Sequence, residues 1–256
     1  MWFFPNKRRV KLLSLLVFGL HCFSILHAET VESQGGTDVE FFVDWLLRDP
    51  ERLDSISFAE VVEATSGKRL LAVDGAEAVD AEMLGAVEAA LIDCLEKMNT
   101  AEHSIHGIAR INEVSRPIED FLMQALDAMD GLTCAVPLTA EGDAQRSGYP
   151  DLRLVHDGSG RVFYIDPKVY KQGSERSGFR TFYFEPKLET NKILDDASHL
   201  IVGIAHSGKV NGRWGFEGWQ IVDLAEFRVR LKAEFQASNK ELYKESAVLR
   251  SSRPGR

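Results

Sequence analysis

Two acids and a lysine carry most of the chemistry that can be read from this chain. They are Asp151, in Tyr149-Pro150-Asp151, and the pair Asp166 and Lys168, in Asp166-Pro167-Lys168. Leu152 and Leu154 alternate with other residues before a turn at Asp157-Gly158-Ser159-Gly160, and Phe163, Ile165 and Val169 alternate after it. That is the period of half-buried strands, so the stretch predicts a β-hairpin. A Gly158-Ser159 loop suits a type II′ turn and pairs Leu152 with Ile165 and Leu154 with Phe163. A loop at Asp157-Gly158 keeps the same faces. The same register sets Asp151 opposite Asp166 on the other face, with Lys168 two residues on and pointing the same way. A one-residue slip would mix apolar and polar faces.

Two carboxylates on opposed strand positions have Cβ atoms roughly 5 Å apart. At that distance they either share one proton or hold a cation between them. A few carboxylate oxygens, with room left for water and a substrate phosphate, suit Mg²⁺, with Mn²⁺ as a substitute. Such an ion offsets charge on a phosphate and lowers the pKa of bound water, while a nearby lysine orients the attacking water. This is the chemistry of phosphodiester hydrolysis.

Pro150-Asp151 followed by Asp166-Pro167-Lys168 resembles the PD-(D/E)xK signature of the restriction-endonuclease-like nuclease superfamily. The resemblance implies that Asp151 and Asp166 are metal ligands and that Lys168 is the catalytic lysine. It also implies an additional acid on the helix before the motif strands, which Glu119 or Glu113 would supply, Glu119 then being a further catalytic and metal-binding residue. Pro167 departs from the apolar residue usual at that place, and a proline within a sheet belongs at an edge or a bulge. Glu185-Pro186-Lys187 has the same form as the Asp166 string and competes with it. The hairpin favours the first, because Asp151 lies just across a short turn.

The elements that position these residues follow from periodicity. Ser115-Arg116-Pro117 opens a helix with a buried stripe of Ile118, Phe121, Leu122, Ala125 and Met129, stopped by Gly131. Thr133 to Leu138 predicts a strand, and Thr139 to Gly148 a polar loop. Past the hairpin, Phe179 to Lys187 is β-rich and would extend the sheet. Asn191 to Ala197 predicts a short helix, and His199 to Ala205 a strand buried on both faces. The order is that of an αβββαβ core, a mixed sheet flanked by helices, over about residues 113–207. Arg213 to Asp223 predicts an aromatic strand whose rings would either pack on the sheet or stack bases. Leu224 to about Phe235 predicts an amphipathic helix bearing Arg228, Arg230 and Lys232.

The remaining chain falls outside that core. Lys7, Arg8, Arg9 and Lys11 precede an apolar run from Leu12 to Leu26, which predicts a signal peptide over residues 1–28 and a chain exported to the periplasm or beyond. An uncleaved anchor is the alternative. Residues 29–100 predict a helical extension: one stripe of Val39, Phe42, Val43, Leu46 and Leu47 closed by Pro50, and a second helix from Val79 to Met98. Between them, residues 69–75 predict one strand and turn. The nuclease-like domain is expected over 101–245 and a disordered tail over 246–256. His103 and His106 are spaced for one helix face but have no third ligand nearby, and surface histidines are expected. Cys94 and Cys134 would be either a disulfide or two buried thiols.

The formal net charge is −9, with the acids concentrated before residue 145 and a mildly basic remainder. That composition excludes a dedicated nucleic-acid binder and allows a polyanion along one face. The implied function is hydrolysis of DNA phosphodiesters with Mg²⁺, with RNA left open as a substrate. Two other readings are a degenerate nuclease fold that binds nucleic acid or protein without cutting, and an unrelated exported binding domain.

Overall fold

The computed structural model describes residues 37–48, 50–178 and 182–252, so the expected signal segment lies outside the described residues. The chain divides into two compact units, with the boundary between Trp45 and Leu46. Helix α1, Asp38–Arg48, forms where the first apolar stripe predicted it, yet none of its residues is buried. Among the described residues no helix is long and apolar enough to cross a membrane.

In the second unit the elements run β1 (Ile56–Ser57), α2 (Phe58–Ser66), α3 (Ala78–Met98), α4 (Ser115–Asp127), β2 (Leu132–Ala135), β3 (Leu152–His156), β4 (Arg161–Lys171), β5 (Ser198–Val210), β6 (Arg213–Asp223), β7 (Arg228–Val229) and the single turn α5 (Asn239–Leu242). Strands β2 to β6 form a mixed five-stranded sheet in sequence order. Its pairs are antiparallel except β4 with β5. The helices α2 and α3, expected as a region ending near residue 100, belong to the same compact unit as this sheet.

The alternation in the hairpin decides which side chains meet which layer. Leu152, Leu154, Phe163 and Ile165 face α3 and α4, packing with Val87, Leu91, Ile118, Leu122 and Leu126. Val162 and Tyr164, on the opposite face, pack with Phe58 and Val62 of α2 and with Ile193 and Leu224. The predicted register is observed, with Leu152 paired to Ile165 and Leu154 to Phe163. The turn is a different one. Residues 157–160 make a four-residue loop in which Gly160, not Gly158, takes positive φ, and its N–H donates to the His156 carbonyl at 2.8 Å. A type II′ turn needs positive φ at its first central residue, so the Gly158-Ser159 turn is not formed.

Three other expectations are corrected. Residues 191–197 are not a helix. Asn191 accepts from the Ile193 N–H, while the Leu194 and Asp195 N–H groups donate to the Tyr164 hydroxyl at 2.9 and 3.2 Å, so the donors a helix would use are taken by side chains. Residues 182–187 add no strand, and Phe182 and Phe184 instead pack edge-on against Phe58. Residues 224–235 form no helix. Phe227-Arg228-Val229-Arg230-Leu231-Lys232 alternates at the strand period, and β7 pairs with β1 while the Leu231 N–H donates to the Leu53 carbonyl. Residues 69–75 contribute only an isolated bridge, Leu70 to Ala197. The end of the chain carries a 3₁₀ turn at Glu245–Ala247 and is exposed as far as residue 252.

A buried ion pair ties the helical layer to the sheet. Arg161, opening β4, donates to both carboxylate oxygens of Asp80 on α3, at 2.6 and 2.9 Å, and to Ser198 Oγ on β5 at 2.6 Å. The guanidinium holds the Asp80 carboxyl below its usual pKa. Removing one partner of such a pair leaves the other charge buried and alone. Asp80→Ala is expected to destabilise the fold by about 3 kcal/mol or more, read as a lower urea midpoint at unchanged slope. A loss under about 1 kcal/mol would mean that solvent already screens the pair.

Candidate active site

Asp151 is delivered to the sheet by a segment fixed on aromatic packing. The Tyr149 ring stacks on His199 with centroids 5.8 Å apart and hydrogen-bonds its Nδ1 at 2.8 Å. Phe58, Phe182 and Phe184 close around Tyr149 edge-on. Burial depresses the His199 pKa to about 3, so this ring is a neutral structural partner. The chain then passes through a cis Tyr149–Pro150 peptide to Asp151, one residue before β3 begins.

Asp166 and Lys168 extend from β4 on the face of Tyr164. Asp166 is 3% exposed. Lys168 Nζ lies 2.5 Å from Asp166 Oδ2 and 4.0 Å from Asp151 Oδ2, so the structure brings the three residues of the hairpin reading together. The strand runs regularly through Pro167, which pairs with Val202 of β5. Pairing with β3 has already ended at Leu152 and Ile165, so the absent N–H breaks no rung on that side.

Burial is the main force on the Asp151 carboxyl, raising its pKa to about 8, with the charge of Asp166, a hydrogen bond to Asp166 and the charge of Glu119 acting in the same sense. Lys168 opposes them without cancelling them. Glu119, on α4, is also pushed upward, by burial first. It shares a cleft of about 240 Å³ with Asn112, Ser115, Pro167 and Lys168. Glu113 does not line that cleft, which favours Glu119 as the additional acid. Arg146 pairs with Asp120, the residue beside Glu119, and ties the loop before Tyr149 to α4.

A divalent ion is chemically suited to this donor set. Asp166 Oδ2 is buried and accepts no hydrogen bond of good geometry, and Asp151 retains a proton for want of positive charge. Among the described residues no three acidic, His or Cys side chains close into a ready-made cage. One or two carboxylates with the remaining positions left to water and phosphate is the usual holding of Mg²⁺.

Lys192 is the residue that sequence reasoning missed. It is 1% exposed, and its Nζ donates to the Gln145 carbonyl at 3.3 Å. Burial lowers its pKa, while Asp151, Asp166 and Glu119 act to raise it. Nothing in Asn191-Lys192-Ile193 distinguishes it from a surface lysine, because its burial depends on a crossover that was expected to be helical. The other sequence candidates lie elsewhere. Glu185 and Lys187 pair with each other at 3.1 Å on the surface. His106 accepts the Trp214 N–H, and His103 accepts that of Ile105. Cys94 and Cys134 are free, buried thiols whose pKa values are raised to about 12. Trp214 and Phe216 are buried and pack into the core.

A mixed sheet flanked by helices, with a hairpin that gathers two acids and a lysine at one strand end, defines a nuclease-like α/β protein. The family description of Type II restriction enzyme MjaV matches residues 52–246, and the chain belongs to that family. It is 29% identical, over 209 residues, to the Type II restriction enzyme MjaV of Methanocaldococcus jannaschii, covering 77% of this chain and 89% of that protein. The resemblance to restriction-endonuclease-like nucleases is thereby borne out.

The raised Asp151 pKa gives a stability test with a definite sign. Between the ordinary carboxylate pKa and about 8, the folded state holds a proton that the unfolded state has lost, so stability falls as pH rises through that window. Asp151→Asn removes the effect. In metal-free buffer the variant is expected to be more stable than the unmutated chain by on the order of 1–3 kcal/mol at pH 8 and by nothing at pH 4. Equal stability at both pH values would show that Asp151 ionises freely.

Proposed function

We propose that this chain is a divalent-metal-dependent DNA endonuclease of the type II restriction class, with Mg²⁺ as the working ion and Mn²⁺ as a substitute. Its nuclease domain would be a restriction-endonuclease-like core with one departure, the non-helical crossover between β4 and β5. The observation that carries the reading is the convergence of Asp151, Asp166 and Lys168 on one strand end, in a chain whose family is one of restriction enzymes. DNA is the proposed partner.

Asp151 and Asp166 would hold the ion, with Glu119 across the cleft as a third acid. The bound ion supplies positive charge for a scissile phosphate and a low-pKa water. Asp151 gives up its proton on entering that role. Lys168, a third exposed and facing the cleft, reaches substrate: its ammonium orients the attacking water and offsets negative charge developing on the phosphate oxygens. The half-buried cleft removes competing solvent from the groups that matter.

Cleavage of plasmid DNA by purified protein, with and without Mg²⁺, is the direct test. Asp166→Ala is expected to lose Mn²⁺ binding and cleavage together, whereas Lys168→Ala keeps the ion and loses on the order of a hundredfold or more in rate. Lys187→Ala should cut like the unmutated chain. Cleavage that survives Lys168→Ala and disappears with Lys187→Ala would move the site to the Glu185 string. No cleavage with either ion would leave a DNA-binding fold without activity.

The basic start and the apolar run to Leu26 support export, with a mature chain beginning near Glu29. An exported nuclease meets DNA outside the cytoplasm, and external DNA is then its substrate. Cell fractionation followed by intact-mass measurement is expected to find a shortened chain outside the cytosol. A cytosolic chain starting at Met1 or its neighbour overturns this.

A further inference from the structure

Two lysines approach the acids of the site, and their settings differ. Lys168 lies in the open cleft. Lys192 is 1% exposed, sits in the crossover before β5, and cannot reach a substrate without the fold opening. Burying an ammonium costs several kcal/mol unless opposite charge surrounds it. The single hydrogen bond from Lys192, to the Gln145 carbonyl, is long at 3.3 Å and does not account for a buried charge by itself. The charges that act on it are Asp151, Asp166 and Glu119, with Asp151 first.

We propose that Lys192 is the resident counter-cation of the site: its buried ammonium offsets the carboxylates when no divalent ion is bound, and an incoming ion must bind against it. The second half of this rests on the metal-dependent reading above. Lys192 is a positioning residue, because it acts through Asp151 and Asp166. Its bond to Gln145 also holds the loop that leads to Tyr149 and Asp151, so the charge and the approach of the ligand strand are set by one side chain.

The sign of the effect on metal binding follows from charge. Removing Lys192 raises the affinity of the acids for any cation, the proton at Asp151 included. A divalent ion carries twice the proton's charge and gains twice as much, so its apparent affinity still rises after competition with that proton.

Full-length Lys192→Met is expected to be less stable than the unmutated chain in metal-free buffer and to bind Mn²⁺ about tenfold more tightly by electron paramagnetic resonance titration. Lys192→Arg keeps the charge and should stay within about twofold in Mn²⁺ affinity. Asp151→Asn should stabilise the Lys192→Met background by more than it stabilises the unmutated chain, since the pair is then coupled. Should Lys192→Met not fold alone, recovery of folding on adding Asp151→Asn supports the proposal, and no recovery overturns it. Equal effects of Asp151→Asn in both backgrounds reduce Lys192 to a packed tie to Gln145. Unchanged or weaker Mn²⁺ affinity in Lys192→Met overturns the metal half. If the unmutated chain binds no Mn²⁺, the metal-dependent function fails, and the stability coupling alone decides whether Lys192 balances the acids.

Discussion

The pairing of Leu152 with Ile165 and of Leu154 with Phe163 is the constraint on which the rest of the structure depends. These side chains are almost fully buried against α3 and α4, and a one-residue slip would turn each of them to the opposite layer. At about 1.5–3 kcal/mol for each large apolar side chain, such a slip costs more than any turn preference can return. The register is therefore set by the core, and the loop at 157–160 adapts to it. Asp166 and Lys168 reach the site because they occupy the alternate positions of the same strand.

Packing thus places like charges where water is scarce, and electrostatics has to resolve the result. Asp151, Asp166 and Glu119 face Lys168 and Lys192 in a partly buried cluster, and the imbalance appears as a proton retained on Asp151. Paired hydrophobic residues would be cheaper for folding, because buried ion clusters seldom exceed their desolvation cost. A cluster kept at that cost is poised to exchange a proton for a harder cation. The Asp80–Arg161 pair shows the contrasting outcome on the same strand. One acid there meets one guanidinium in two-point contact, its pKa falls, and the result is structural.

Where the period of the sequence coincided with burial, the fold was legible. The hairpin register, the helices α3 and α4, and strands β5 and β6 all follow from short-range alternation or helical stripes. Residues 191–197 were not legible, because Tyr164, Arg153 and Arg69 capture the backbone donors and carboxylates of a segment whose composition suits a helix. Residues 227–232 carried a strand signal in their strict alternation, obscured by the charge pattern of an amphipathic helix. The three site residues of the hairpin were readable because one strand period places them. Lys192 was not, since its position is fixed by long-range contacts from a segment without local periodicity.

Pro167 shows how a departure from a motif can be explained by its surroundings. Strand β4 continues six residues beyond Ile165, the last residue with a partner on β3, so the stretch bearing Asp166 and Lys168 has β5 on one flank and no strand on the other. An unpaired flank on an apolar strand invites another strand to add to it. A proline there withholds a donor, and a charged side chain on either side opposes a close partner, so the flank stays open toward the cleft that Glu119 lines. The apolar residue usual at that position would pack equally well against α4 but would restore the donor. The same early end of β3 leaves Asp151 at a strand terminus, where its carboxylate can turn toward Asp166 without competing with a ladder bond.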